Sequence, residues 1–279
     1  MKKNIVLCAD DYGQAPAISQ GIVALLRQGR LSAVSCMVNT PYWLEQAKEL
    51  ASFQGQVDVG LHFNLTEGRP LSALYQAHSP SFFSLSGLMG RTFLRRVNRE
   101  AIEAECHAQI NRFEEAMGYL PHFIDGHQHV HQFPVIREAV LAAYQQRLQS
   151  QKAYIRWVNE GMQWSDVLFD PKKIIIYATG TPSFGHLLDH YHIPHNLSFA
   201  GIYAFNQANQ YDQLFPRFLE KIGDGGLIMC HPGLSSSTED RIAKARELEY
   251  AYLSSDRFLR DCERQEVTIT RFLCPQPAQ

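Results

Sequence analysis

Four short polar clusters carry the residue types that a metal-dependent hydrolase needs. They are Asp10-Asp11, His62 with Asn64, the segment 125–131 with the sequence DGHQHVH, and His231 followed by Pro232-Gly233. A hydrolytic metal ion needs about three protein ligands and open positions for water and substrate. One carboxylate and two neutral imidazoles supply these ligands and leave net positive charge on the ion to acidify a water. The clusters together favour a site for one divalent metal ion.

Each cluster also has a purely structural explanation when it is taken alone. An Asp pair after a strand is common in turns and helix N-caps. A single histidine such as His62 or His231 is often an interior residue with its hydrogen bonds satisfied. The three histidines of 125–131 alternate, as one exposed face of an irregular strand would, but Phe123, Ile124 and Val130 around them are apolar. Four clusters of this kind at one edge favour a shared site.

The chemistry predicts different tasks for neighbouring groups. Asp10 and Asp11 are adjacent in the sequence, so their side chains should diverge. One of them can bind the metal ion while the other accepts the proton of the attacking water. A histidine on the far side can protonate a leaving amine.

Strand and helix patterns alternate along the chain and place these clusters. Apolar runs predict strands at 5–9, 33–38, 57–61, 123–125, 154–158, 226–230 and 267–272. Amphipathic patterns predict helices at 18–26, 44–50, 92–117, 134–148, 214–222 and 243–253. Repeated βα units predict a parallel sheet, open or closed into a barrel, with ligands at the carboxyl ends of its strands.

Two segments are less regular. Residues 66–91 have no helical or strand period, so we interpret them as a functional loop or lid. Residues 174–177 are apolar enough for a strand, although a buried helix start fits equally well.

Composition excludes several other classes of protein. The 279 residues include 26 Lys+Arg and 28 Asp+Glu, so nothing predicts binding to nucleic acid or anionic lipid. Six scattered cysteines suggest buried thiols in a reducing compartment. No signal peptide or membrane span is apparent, so we expect a cytoplasmic protein with a single domain over 1–279.

The motifs resemble those of the YdjC-like carbohydrate deacetylases, a family that includes chitooligosaccharide deacetylases and hopanoid-associated deacetylases. The matching segments are Ala9-Asp10-Asp11-Tyr12-Gly13, residues 60–68 (GLHFNLTEG), residues 125–131 (DGHQHVH) and Met229-Cys230-His231-Pro232-Gly233. They occur in the family's order and span nearly the whole chain. The resemblance implies an α/β fold, a distorted (β/α) barrel with a divalent metal ion at the strand ends, and hydrolysis of the acetyl group of an N-acetylated sugar or oligosaccharide.

The resemblance also implies roles for individual residues. The metal ligands would be Asp11, His62 and His127, the general base Asp10, and the general acid His231. Further residues, near or at the substrate, would be His129, His131 and Arg156, the last of which would steer the base. The family picture also favours a helix start at 174–177 and is compatible with a homodimer.

The nature of the ion and of the substrate is left open by the residues. Two imidazoles favour zinc, cobalt, nickel or manganese, whereas family resemblance implies magnesium. A metal-dependent phosphoesterase is an alternative, but it usually needs two metal ions and basic residues, and only Arg69 and Arg156 lie near the motifs. A non-catalytic sugar-binding protein would not need Asp10. Specificity should reside in 66–91 and 161–195.

Overall fold

The fold is built on one sheet whose strands all run parallel. The computed structural model describes residues 2–160, 180–234 and 240–273. The strands are β1 (Lys3–Tyr12), β2 (Ala33–Cys36), β3 (Asp58–Phe63), β4 (Phe123–Gly126), β5 (Tyr154–Ile155), β6 (Phe199–Ala200), β7 (Gly226–Cys230) and β8 (Val267–Ile269). Their order is β5-β4-β3-β2-β1-β7-β6, and β8 pairs with the start of β1.

Helices connect the strands and cover the outside of the sheet. They are α1 (Pro16–Arg27), α2 (Trp43–Leu50), α3 (Ala73–His78), α4 (Leu85–Phe93), α5 (Arg99–Met117), α6 (Ile136–Arg147), α7 (Thr181–His190), α8 (Tyr211–Lys221), α9 (Ala243–Leu253) and α10 (Asp256–Arg264). Their ends follow local chemistry. Pro16 opens α1, and the Asn98 side chain caps α5, which stops at Gly118 with a left-handed φ of 75°.

The two edges of the sheet meet along an irregular seam, which curls the sheet into a distorted barrel. Ile155 N–H donates to the carbonyl of Pro194 at 2.9 Å, and Phe199 N–H donates to that of Asn159 at 3.1 Å. Between these two bonds the side chain of the buried Asn196 makes the contacts that a strand backbone would make. Its Oδ1 accepts from the N–H of Trp157 and its Nδ2 donates to the C=O of Trp157, each at 2.8 Å. The predicted barrel is confirmed in this distorted form.

The sheet separates two apolar layers. Alternate residues of each strand face the helices, and the main core lies there; its strand residues include Leu7, Val34, Leu61, Ile124 and Ile228. The other residues point into the barrel and pack as a smaller cluster: Val6, Cys8, Ala33, Phe123, Tyr154, Leu227 and Met229. Two residues after Cys8, Ala33, Phe123 and Tyr154, the next positions that point into the barrel are Asp10, Ser35, Asp125 and Arg156. The strands therefore deliver polar side chains into the barrel at their carboxyl ends.

Several predicted elements are confirmed and others are corrected. Two ranges, Gly226–Cys230 and Ala243–Leu253, agree completely with the prediction. The interpretation of 66–91 as irregular was wrong, because α3 and α4 form there on Ser72 and Ser84 caps. The long helix starts at Arg99 rather than 92, and α10 was missed. Residues 161–179, which include the ambiguous stretch 174–177, lie outside the described residues.

Two simpler expectations concern membranes and cysteines. Within the described ranges no helix combines the length and apolarity needed to cross a bilayer. All five cysteines in those ranges are buried and free, as the sequence predicts for thiols without disulfide partners: Cys8, Cys36, Cys106, Cys230 and Cys262.

The seam gives a stability prediction. Asn196→Ala removes three hydrogen bonds to buried backbone groups of Trp157 and Ser198, so we expect a loss of about 2–4 kcal/mol in the free energy of unfolding. Urea unfolding followed by circular dichroism measures it. The exposed Asn209→Ala should stay within about 0.5 kcal/mol of the wild type. Equal stability of both variants would show that the seam does not hold the barrel closed.

Candidate metal centre and active site

Three side chains from three strand ends converge on one point. Oδ1 of Asp11 lies 3.0 Å from Nδ1 of His127 and 3.3 Å from Nε2 of His62, and these two nitrogens are 3.3 Å apart. Donor atoms that bind one ion at about 2.0–2.2 Å stand roughly 3 Å from each other. The three atoms thus fit a metal ion, and the chemistry of the set, one carboxylate and two imidazoles, fits a hydrolytic one.

The backbone of β1 is distorted where it presents the two aspartates. Between Ala9 and Tyr12 the pairing with β2 shifts register, so β1 contains one extra residue there. Asp11 has a left-handed φ of 66°, which Asp tolerates better than most residues. A bulge redirects side chains that would otherwise alternate regularly. As expected from their adjacency, Asp10 and Asp11 face different partners.

His127 is positioned by a tight turn directly after β4. Residues His127–Gln132 form a 3₁₀ segment in which Gln128 and His129 have left-handed φ values of 54° and 60°. The turn folds back so closely that a Cβ on Gly126 would lie 2.8 Å from the backbone nitrogen of His131. Gly126 is therefore required by close packing, and the strained turn is of the kind found at functional sites.

In each predicted metal ligand, the polar atom that does not face the ion site lies next to a charged side chain. His62 Nδ1 lies 2.7 Å from Oδ1 of Asp125, and since a carboxylate only accepts, this bond leaves the Nε2 lone pair free for an ion. His127 Nε2 lies 3.1 Å from Oε1 of Glu67, which leaves its Nδ1 for the ion. Oδ2 of Asp11 accepts a 2.8 Å bond from Arg246. Such partners orient metal ligands and fix histidine tautomers.

The electrostatics of the pocket favour positive charge. Burial opposes protonation of His62, but the Asp125 and Asp10 carboxylates outweigh it and raise its pKa to about 10. The pKa of His127 is also raised, because Asp11 outweighs burial. Burial alone would raise the pKa of Asp11, yet Arg246 and His127 hold it well below its usual range. The same carboxylates that favour a bound cation thus favour protonated imidazoles when no ion is bound.

Asp10 lies beside the ligand triangle without being part of it. Arg156 donates to both of its oxygens, at 2.7 and 2.6 Å, and both residues are buried. Burial works to raise the pKa of Asp10, but the guanidinium lowers it well below the usual range. Asp10 is therefore an ionised carboxylate with a fixed orientation.

A second acidic cluster lies deeper in the barrel and is already filled. Cys8, Asp10 and Asp125 could form another metal site by spacing alone. The guanidinium of Arg156 sits among all three, with Nη2 at 3.1 Å from Cys8 Sγ and 2.6 Å from each carboxylate. This cluster binds an arginine, and the described residues offer a single plausible metal centre.

His231 follows β7 on another wall of the site. Its backbone N–H donates to Oε2 of the buried Glu249, and its Nδ1 lies 4.0 Å from Oε1 of the same residue. The Phe205 ring packs edge-on at 5.4 Å. Glu249 also accepts a 2.6 Å bond from Tyr203. The ring is thus held at the strand end.

The remaining predicted residues differ in what they contact. His131 is completely buried, its Nε2 lies 2.9 Å from the carbonyl of Arg156, and its ring packs on Phe184. His129 packs against Phe199, and its buried Nδ1 has no hydrogen-bond partner within the ranges described. Arg156 is buried and its two terminal nitrogens contact carboxylates, so its place in the structure suits holding Asp10.

Sequence reasoning missed four residues that hold the site: Glu67, Asp125, Arg246 and Glu249. Two of them were visible inside the quoted motifs, as Glu67 in 60–68 and Asp125 in 125–131. Arg246 and Glu249 lie on α9, far from any motif, although their spacing of three places both on one helix face. No local pattern signals that this face meets the strand ends.

Comparison with known proteins now assigns the family. The family model described as YdjC-like protein matches residues 4–264. The chain belongs to the YdjC-like family. A carbohydrate deacetylase of Danio rerio is similar, with 39% identity over 144 residues, 49% of this chain and 45% of that protein. A chitooligosaccharide deacetylase of Yersinia pestis has 35% identity over 149 residues, 51% of this chain and 56% of that protein. This YdjC-like chain thus spans about half the length of the curated relatives it matches.

Two solved structures share its fold. A protein from Enterococcus faecalis V583, named provisionally as a cellobiose-phosphate cleavage protein, superposes with a TM-score of 0.75 at 20% identity over 98% of both chains. A peptidoglycan N-acetylglucosamine deacetylase superposes with a TM-score of 0.54 at 12% identity, over 97% of this YdjC-like chain and 86% of the other. At such low identity these similarities establish the fold alone.

Metal uptake by the YdjC-like centre should release protons. Because the pKa values of His62 and His127 are raised, the metal-free site is protonated at pH 7, and an ion must displace about one or two protons. Affinity should therefore fall as pH falls. Calorimetric titration with Co²⁺ in buffers of different ionisation enthalpy counts the protons. His129→Ala should leave the count unchanged, and binding without proton release would contradict the assigned ligands.

Proposed function

We propose that this protein removes acetyl groups from N-acetylated sugars by metal-dependent hydrolysis of the amide bond. The observation that carries the proposal is the position of Asp10. Its carboxylate interacts electrostatically with both His62 and His231, yet it bonds neither of them. An ionised carboxylate that lies beside the ligand triangle without belonging to it, and whose orientation Arg156 fixes, can act as a general base.

Asp11, His62 and His127 would hold the divalent ion. When bound, such an ion supplies Lewis acidity, which lowers the pKa of a water molecule and polarises the acetyl carbonyl. The donor set favours Zn²⁺, Co²⁺, Ni²⁺ or Mn²⁺ over Mg²⁺, which prefers oxygen ligands.

Asp10 takes the proton of the attacking water. Arg156 keeps it ionised across the neutral range, so the acceptor form is always present, and the two-point contact fixes the direction of its free lone pairs. His231 gives a proton to the leaving nitrogen. An amine is a poor leaving group until it is protonated, and an imidazolium is a suitable donor for this step.

The other predicted residues act around this core. His129, whose buried Nδ1 lacks a protein partner among the described residues, would contact the substrate. His131 and Arg156 would support the site from behind, since both are buried. The printed names of the curated relatives suggest a carbohydrate or chitooligosaccharide substrate. A cytoplasmic location and a homodimer remain predictions of the sequence.

A phosphoesterase is less consistent with the site. The two buried arginines there are already neutralised, Arg156 by Asp10 and Asp125, and Arg246 by Asp11 and Asp240. Within the described residues, the place where a second ion could bind holds the Arg156 guanidinium. A sugar-binding protein, in turn, has no use for a buried ionised Asp10.

Acetate release tests the proposal directly. The metal-loaded protein should release acetate from N-acetylated mono- or oligosaccharides such as diacetylchitobiose, and a chelator should abolish the release until the ion is restored. A matched panel of sugar phosphates is the control. Phosphate release without acetate release would replace the proposed function by the phosphoesterase.

The roles of the adjacent aspartates can be separated. Asp10→Asn should retain the metal ion but lose on the order of 10²–10⁴ in kcat, because the proton acceptor is gone. Asp11→Asn should lose tight metal binding. Elemental analysis and acetate release measure the two effects. If Asp10→Asn loses the ion while Asp11→Asn keeps it, the two roles are exchanged.

The acid role of His231 predicts a dependence on the leaving group. His231→Ala should slow cleavage of an acetylated amino sugar by on the order of 10²–10⁴, because the amine leaves only when protonated. An acetate ester with a good leaving group needs little acid help and should react almost as fast as with the wild type. Equal losses on both substrates would mean that His231 positions the site and is not the acid.

A further inference from the structure

Asp125 is a buried carboxylate that contacts both halves of the proposed site. On one side its Oδ1 lies 2.7 Å from Nδ1 of His62 and accepts a 2.5 Å bond from Ser35. On the other side its Oδ2 forms a 2.6 Å ion pair with Nη2 of Arg156. Arg156 in turn holds both oxygens of Asp10. One chain of contacts therefore joins a predicted metal ligand to the predicted base.

We propose that Asp125 is a positioning residue that couples the metal ligand His62 to the base Asp10 through Arg156, an inference that rests on the proposed function above. The chain His62–Asp125–Arg156–Asp10 is called the relay below. Its members follow or end strands β3, β4, β5 and β1, and Arg156 crosses the inside of the barrel to reach β1. The relay thus links the carboxyl ends of four strands and connects the ligand His62 to the base Asp10.

The need to neutralise buried charges does not by itself explain why Arg156 contacts both Asp10 and Asp125. Arg156 could neutralise Asp10 alone, and Asp125 could orient His62 alone, as carboxylates commonly do for metal-ligating histidines. Instead one guanidinium serves both carboxylates: it hydrogen-bonds both oxygens of Asp10, and its Nη2 forms a 2.6 Å ion pair with Oδ2 of Asp125. A displacement of either carboxylate therefore acts on the other through Arg156.

The relay makes a prediction that an orienting role for Asp125 alone does not make. Arg156 touches none of the three predicted ligands, so a change there should affect metal binding only through Asp125. Lys at 156 keeps the positive charge but cannot bond two carboxylates with a planar fork. In Asp125→Asn the amide oxygen can still accept from His62, but the NH₂ group then faces the guanidinium of Arg156. Because a guanidinium cannot accept a hydrogen bond, the contact with Arg156 is lost.

The experiment measures Co²⁺ affinity of the apoprotein by its visible absorption, together with acetate release at saturating Co²⁺. Asp125→Asn should weaken Co²⁺ binding by about 10–100-fold, and Arg156→Lys by about 3–10-fold. The double variant should bind no more weakly than Asp125→Asn alone, since both changes cut the same chain. At saturating Co²⁺ both single variants should keep KM but lose at least about 10-fold in kcat, because Asp10 is displaced.

Glu249→Gln is the matched control. It also neutralises a fully buried carboxylate of the site, but Glu249 contacts His231 and Tyr203 rather than the relay, so Co²⁺ affinity should stay within about twofold. Thermal unfolding of each apoprotein checks folding. If Asp125→Asn does not fold, the Co²⁺ affinity and kcat of Arg156→Lys alone test the relay. This variant keeps the positive charge that the buried carboxylates need.

The outcomes are distinguishable. Weaker Co²⁺ binding by Arg156→Lys with a lower kcat and unchanged KM supports the relay. Binding by Arg156→Lys as tight as that of the wild type overturns the relay and leaves the proposed function intact. Additive losses in the double variant also overturn it, because they show two independent effects. A wild-type protein that binds no Co²⁺ overturns the proposed metal centre itself and the relay with it.

Discussion

Five charged side chains are almost completely buried where the strands of the barrel end: Asp10, Asp11, Asp125, Arg156 and Arg246. A buried charge is tolerated only when partners compensate for its lost hydration. Arg156 does this for Asp10 and Asp125, and Arg246 does it for Asp11 and Asp240. The three carboxylates outnumber the two guanidiniums by one, and two imidazoles lie against them, so the pocket favours positive charge.

The need to give each buried charge a partner explains backbone conformations that are unfavourable in free energy. The β1 bulge and the left-handed Asp11 let two consecutive carboxylates face two different cations. The close turn after Gly126 brings His127 onto Asp11 while its other nitrogen meets Glu67. Strain of this kind persists where surrounding contacts fix it. The ion pairs and hydrogen bonds around Asp11 supply such contacts, so the fold and the proposed chemistry depend on the same set of charges.

Sequence patterns predicted seven of the eight described strands, all but β6, and the meeting of Asp11, His62 and His127, because both follow short-range rules. An apolar run such as 226–230 favours a buried strand in an alternating βα pattern, and polar residues at the ends of parallel strands share an edge. The partners Arg246 and Glu249 were not predictable, since they depend on how α9 packs on the strand ends. The helices α3 and α4 were missed because they are only 6 and 9 residues long, too short to show a clear helical period, and the Ser72 and Ser84 caps that start them resemble ordinary loop serines. The β1 bulge has no sequence signal beyond the two aspartates.

The claim on which the whole account depends is that Asp11, His62 and His127 bind one divalent ion through the three atoms that now face each other. Anomalous diffraction from crystals soaked with Zn²⁺ at the zinc absorption edge tests this directly. The account predicts one strong peak about 2.0–2.2 Å from Asp11 Oδ1, His62 Nε2 and His127 Nδ1, with His62 still bonded to Asp125 through Nδ1. A peak among Cys8, Asp10 and Asp125, or one bound by His129 or His131 in place of His127, would contradict it.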